Sequence, residues 1–182
     1  MTEAVNGSIL IALARNAIAE HLGRAPIPPV KGGHWLEETG ATFVTLTQQE
    51  RLRGCIGSLQ AHRSLHEDVR ANAVAAGFRD PRFSPLTIEE FAYTQVEVSL
   101  LSPQEPLAFT DESDALAQMR PGIDGIVLEY GRFRGTFLPQ VWEQLPRSED
   151  FIAHLKVKAG LPAHFWAGEI KLSRYTVAKW KE

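Results

Sequence analysis

Residues 94–101, TQVEVSLL, alternate strictly, with Val96, Val98 and Leu100 on one side and Gln95, Glu97 and Ser99 on the other. That period of two predicts a strand with one buried face. TFVTLT (42–47), β-branched and aromatic, predicts a second strand. QQER then reads as a loop, and LRGCIGSL (52–59) as the returning strand of a hairpin. In residues 8–22 the apolar positions Ile9, Leu13, Ala17 and Leu22 recur near helical spacing, with Ser8 as the N-cap. SLHEDVRANAVAAG opens with Ser64 and Glu67 in capping-box spacing and ends at Gly77, which predicts a helix marked at both ends. Thr87 and Glu90 repeat the capping-box spacing on a short helix. TDESDALAQM has an acid-rich first turn that suits the helix dipole. SEDFIAHLKVKAG reads as a helix capped by Ser148 and stopped at Gly160, with Lys156 and Lys158 in the last turn, where cations are favoured. DGIVLEYGRFRGTFLP predicts a hairpin around Tyr130 to Arg132, and EIKLSRYTVAKW a final extended segment.

Strands arriving in hairpins, without regular βαβ crossovers, define the fold class as α+β, a mainly antiparallel sheet flanked by helices. The three prolines of APIPPVKGG exclude helix and central strand there. Prolines also flank residues 103–139, which hold their own helix and hairpin. The expected organisation is therefore a larger domain from 1–102 and 140–182, and a smaller subdomain from 103–139.

Composition adds compartment and partners. The start, MTEAVNGSILIALARNAIAE, lacks the basic region of a signal peptide, and its apolar residues are periodic instead of continuous. No stretch approaches the roughly 20 apolar residues of a membrane span. A single cysteine among 182 residues excludes an internal disulfide and fits a reducing compartment, so the expectation is a soluble, cytoplasmic protein. A net charge of −3 argues against nucleic-acid binding by the chain as a whole. Residues 51–82 nevertheless form a positive island, six arginines against Glu67, Asp68 and Asp80. Aromatic residues are not interleaved with these arginines, so base stacking is not indicated.

Candidate chemistry centres on that island. There is no phosphate-binding loop, dinucleotide fingerprint, nucleophile elbow or zincin pair, and no cofactor is expected. His62 and His66 are spaced as metal ligands on a helix, but Ser64 between them is the expected cap and spoils the shared face. On a regular strand Arg53, Cys55 and Gly57 share one face, roughly 7 Å apart from one to the next. A guanidinium that close favours a thiolate. Gly54 and Gly57 would let a ligand or another backbone approach. Against this, a free cysteine commonly just packs, and packing is the heavier reading on residue physics alone. An even-numbered turn puts Cys55 on the face of Val44 and Leu46, and an odd one puts Ile56 there; the register stays open. Glu97 is a charge inside an apolar strand, also explained by a solvent-facing position. Asp80 and Arg82 of DPRF read as a local ion pair holding a loop.

These segments resemble a known family, the one named for the Alport syndrome, midface hypoplasia and elliptocytosis chromosomal region, also called protein A of the AmmeMemoRadiSam system. Its hallmark is LRGCIG (52–57); FVTL (43–46), DPRFSPL (80–86), VEVSLL (96–101), GTFLPQVW (135–142), LKVKAGL (155–161) and YTV (175–177) continue the resemblance in order. It implies a two-part α+β architecture, the larger part joining the N-terminal region to the C-terminus. It implies companionship with Memo-type and radical-SAM proteins, and suspicion falls on LRGCIG, with Cys55 and Arg53 at its centre. No catalytic mechanism comes with it. Two expectations follow. One is an accessory or adaptor protein docking a partner or small molecule through Arg53, Gly54, Gly57, Asp80, Arg82 and Glu97. The other is an enzyme with Cys55 as nucleophilic or redox thiol, Arg53 as its activating charge and His62 or His66 as base.

Overall fold

The computed structural model describes residues 6–24 and 30–182. Residues 1–5 and the proline-rich stretch 25–29 lie outside them. The strands are β1 (Thr39–Gln48), β2 (Arg51–Gly57), β3 (Arg63–Ser64), β4 (Gln95–Leu101), β5 (Glu105–Pro106), β6 (Gly125–Tyr130), β7 (Phe133–Phe137), β8 (Lys171–Tyr175) and β9 (Val177–Lys181). The α-helices are α1 (Gly7–His21), α2 (Leu65–Phe78), α3 (Ile88–Phe91), α4 (Glu112–Gln118) and α5 (Ser148–Ala159). The fold is α+β with two antiparallel sheets.

The chain forms two compact units, one from Met1–Leu101 with Ala178–Glu182 and one from Ser102–Val177. This division differs from the one the prolines suggest. Residues 140–177 belong to the second unit, because α5 and β8 supply Phe151, Ile152, Leu155 and Leu172 to the core that β6 builds with Ile126 and Leu128. Only the last five residues return to the first unit. The single extended segment expected at the C-terminus is two strands, β8 and β9, in different sheets.

In the first unit the sheet order is β2-β1-β4-β9, with β3 added to β1. Val44, Leu46, Val96 and Val98, all fully buried, project from one face into a core completed by Leu10, Leu13 and Ile18 of α1 and Val69 and Ala73 of α2. Each such side chain contributes roughly 1.5–3 kcal/mol on burial. A polar knot ties α2 to the sheet. Asp68, with no exposure, accepts hydrogen bonds from Thr42 N and Oγ1, Ser58 Oγ, Arg63 Nε and Asn72 Nδ2. A carboxylate can be buried at this depth only because its lone pairs are filled.

The helix ends correct the sequence reading in three places. Asn6, not Ser8, caps α1, accepting from Ser8 N. Ser148 is the first residue of α5 and caps nothing. The Thr87–Glu90 capping box is present, Ser64 accepts from Glu67 N, and Gly160 ends α5 in the left-handed region at φ 95°. Gly77 does not stop α2, which runs on to Phe78.

In the second unit the order is β5-β8-β6-β7. Trp142 stacks on Phe151 with ring centroids 3.8 Å apart and donates from Nε1 to Asp124 O. Lys156 lies in the last turn of α5, as expected, and is buried there. It is 1% exposed, paired with Glu112, and its Nζ lies 5.3 Å from the centre of the Trp166 ring. Lys158 donates to Thr136 O at 2.9 Å.

Candidate functional site

The site is the hairpin β1–β2 and the loop that follows α2. Gln49 and Glu50 form a two-residue turn with φ of 49° and 62°. Positive φ at both positions is what a tight hairpin turn compatible with strand twist requires. Gln48 faces Arg51 and Thr47 faces Leu52, but Leu46 faces Gly54, so Arg53 is the extra residue of a β-bulge. The bulge reverses the parity. A two-residue turn alone would set Cys55 opposite Val44, on the core face; with Arg53 inserted, Cys55 pairs with Thr45 and Ile56 takes the place opposite Val44.

The glycines of the motif answer to packing. A Cβ on Gly54 would stand 2.1 Å from Ala76 O in α2, and one on Gly57 would stand 2.2 Å from the Phe43 ring. Both glycines let protein, not ligand, come close. Arg53 is likewise committed within the protein. Its Nε and Nη2 donate to the two carboxylate oxygens of Glu90 at 3.1 and 3.0 Å, and Nη2 donates to Ser84 O at 2.9 Å. These bonds, with the Thr87 N–H, hold the Glu90 carboxyl below the usual carboxylate range. Arg53 therefore braces the hairpin against the 84–90 segment, with its charge paired to Glu90.

The groups that do meet Cys55 are Asp80 and Arg82. Asp80 Oδ2 accepts from Cys55 N at 2.9 Å, and Arg82 Nη2 reaches Cys55 O at 3.3 Å. The same two side chains pair with each other, Nε to Oδ1 at 2.9 Å and Nη2 to Oδ2 at 2.7 Å. β2 is an edge strand, whose outward N–H and C=O groups invite another strand. The DPRF loop fills those positions at Cys55 with a carboxylate and a guanidinium. Asp80 is buried, and its hydrogen bonds from the Arg82 side chain hold its carboxyl far below the usual carboxylate range; the Cys55 and Arg82 N–H groups act in the same direction, and burial opposes them. The ion pair read from DPRF is present, and it extends to the strand that carries the motif.

Across the sheet, Cys55 of β2, Thr45 of β1 and Glu97 of β4 stand in one cross-strand row, on the face turned away from α1 and α2. Thr45 Oγ1 donates to the half-buried Cys55 Sγ at 3.3 Å. Neighbouring strands are roughly 4.8 Å apart, so thiol and carboxylate flank the hydroxyl at the two ends of a span of about 10 Å. The Glu97 side chain has no hydrogen bond or ion pair among the described residues. Neither histidine joins the row. His62 Nδ1 faces Gln60 O at 2.9 Å, and His66 lies in a groove between α1 and α2 with Glu20, His21 and Arg70. Among the described residues, no cluster of three or more metal-ligating side chains occurs, and no helix is long and apolar enough to cross a membrane.

Sequence reasoning missed Thr45 and Glu90. Thr45 differs in no way from the other strand threonines until the register is known. Glu90 had a local explanation in its capping box, which it satisfies while also gripping Arg53.

The chain has relatives. The AMMECR1 family model matches residues 11–180. Protein MJ0810 of Methanocaldococcus jannaschii is 34% identical over 184 residues, covering 97% of this chain and 90% of the relative. A protein of Methanothermobacter thermautotrophicus is 36% identical over 182 residues, covering 93% and 90%. The crystal structure of uncharacterized protein PH0010 from Pyrococcus horikoshii superimposes with a TM-score of 0.81 at 34% identity, covering 97% of this chain and 91% of that one. A family match over nearly the whole length, with the same fold in a solved relative, makes this chain a member of the AMMECR1 family.

Proposed function

We propose that the protein is an accessory or adaptor that works with a Memo-type protein and a radical-SAM protein, engaging its partner through the LRGCIG strand and the row Cys55–Thr45–Glu97. The observation that carries this reading is how the motif spends its polar groups. Arg53 is bound to Glu90 and the Cys55 backbone to Asp80 and Arg82, so the segment is braced as a surface. The residues of the row line neither the groove at the hairpin tip nor the groove between α1 and α2. A cross-strand row on a sheet face suits a macromolecular partner, whose interface spans many residues at once. The reading assumes a cytoplasmic setting, in keeping with one free thiol.

The test is calorimetric titration of the Memo-type protein of the same organism into wild type, Glu97→Arg and Arg70→Ala. Reversing the unpaired charge of Glu97 should weaken binding at least tenfold, about 1.4 kcal/mol or more. Arg70, paired with Glu20 on the helical side, serves as control and should change nothing. Unaltered binding by Glu97→Arg, or none by wild type, would overturn the proposal. The enzyme reading, with Cys55 as nucleophilic or redox thiol, is favoured by one observation, the Thr45 hydroxyl on its sulfur.

A further inference from the structure

At the tip of the hairpin β1–β2, a groove of about 480 Å³ is lined by Gln48, Gln49, Arg51, Leu52, Arg53 and Tyr93. That volume lies in the range of small-molecule sites, roughly 300–1,000 Å³. From this lining we infer a binding site for a small planar organic anion, a ring bearing a carboxylate or phosphate. The inference rests on reading the LRGCIG segment as a binding surface and names a ligand class for its N-terminal end.

Two features point to that chemistry. Leu52 and Tyr93 are 43% and 59% exposed, so an apolar side chain and a ring face stand open to solvent at the groove. The Arg51 side chain has no hydrogen bond or ion pair among the described residues, whereas Glu90 neutralises Arg53. An unpaired guanidinium offers a planar fork to a carboxylate or phosphate, and it stacks on rings.

The experiment is a ¹H–¹⁵N correlation titration of the full chain with phenyl phosphate and benzoate, beside inorganic phosphate and benzyl alcohol. Either ring anion should shift the amides of residues 48–53 and Tyr93 saturably, with Kd at or below about 1 mM. The tighter of the two identifies the head group. Inorganic phosphate and benzyl alcohol should bind at least tenfold more weakly, because each supplies half of the recognition. Arg51→Gln and Tyr93→Ala, both at exposed positions, should each cost roughly tenfold while leaving the remaining spectrum native. Absence of saturable shifts, equal binding of inorganic phosphate, or wild-type binding by both variants would overturn the inference. None of these results would touch the partner titration with Glu97→Arg. Conversely, loss of partner binding alongside intact binding of the ring anion would sink the adaptor reading and leave the groove standing.

Discussion

Replacing Gly54 with alanine should destabilise the first unit by about 3 kcal/mol or more. The new methyl would stand 2.1 Å from the carbonyl oxygen of Ala76, and both sides of that clash are backbone. No rotamer change relieves it; either β2 moves off β1 or the last turn of α2 moves off the sheet. The expected result is a large drop in the denaturant midpoint, together with faster amide exchange in β1, β2 and α2 and unaltered exchange in β6 and β8. A variant within about 0.5 kcal/mol of wild type would show that the hairpin and helix adapt freely, and Gly54 would then need a ligand to explain it.

Asp80→Ala should cost about 2–3 kcal/mol, since it removes the acceptor for Cys55 N and for the Arg82 backbone and guanidinium together. The figure is held down because the Arg82 side chain is 55% exposed and water can replace part of what it loses. The pH dependence follows from the sign of the shift. Asp80 has its carboxyl depressed in the folded protein, so its contribution is fully present above the unfolded value near 4 and is lost as pH falls from there toward the folded value. Wild type should therefore lose stability below about pH 4 more steeply than Asp80→Asn, which has no such carboxyl to protonate. Denaturant midpoints of the two proteins between pH 2 and 7 provide the comparison. Parallel curves would mean that the latch on Cys55 contributes nothing measurable. With the latch removed, the outward N–H and C=O of Cys55 become a free strand edge, so Asp80→Ala should also be the more aggregation-prone protein.

The strands and most helices of this chain were legible because their signals are local. Alternation at 94–101 and the β-branched run at 42–47 each specify a buried face, and Thr87 with Glu90 marks a helix start within four residues. What stayed hidden depends on residues far apart. Which face carries Cys55 turns on one bulge at Arg53, and that bulge is set by Gly54 fitting against Ala76 of a helix yet to come. Arg53 finds Glu90 across 37 positions, and Cys55 finds Asp80 across 25. Strict alternation places Arg53 beside Cys55; the fold gives the Arg53 guanidinium to Glu90 and sets Asp80 and Arg82 on the Cys55 backbone. Glu97 stands out in the sequence as a charge within a strand and a candidate docking residue, but its alignment with Thr45 and Cys55 exists only in the register of three strands.

Central to this account is the claim that Cys55 matters as part of a surface and not as a thiolate. The most direct measurement is partner affinity for three proteins: wild type, Cys55→Ala, and wild type alkylated at Cys55 with N-ethylmaleimide. The half-buried sulfur accepts from Thr45 and sits midway along the β2 edge of the row, so a bulky adduct there should block a partner lying on that face. Alanine removes the thiol and adds no bulk. The account predicts that the alkylated protein loses binding at least tenfold while Cys55→Ala binds within about twofold of wild type. If Cys55→Ala loses as much as the alkylated protein while remaining folded, the thiol itself is required, and the surface reading is contradicted.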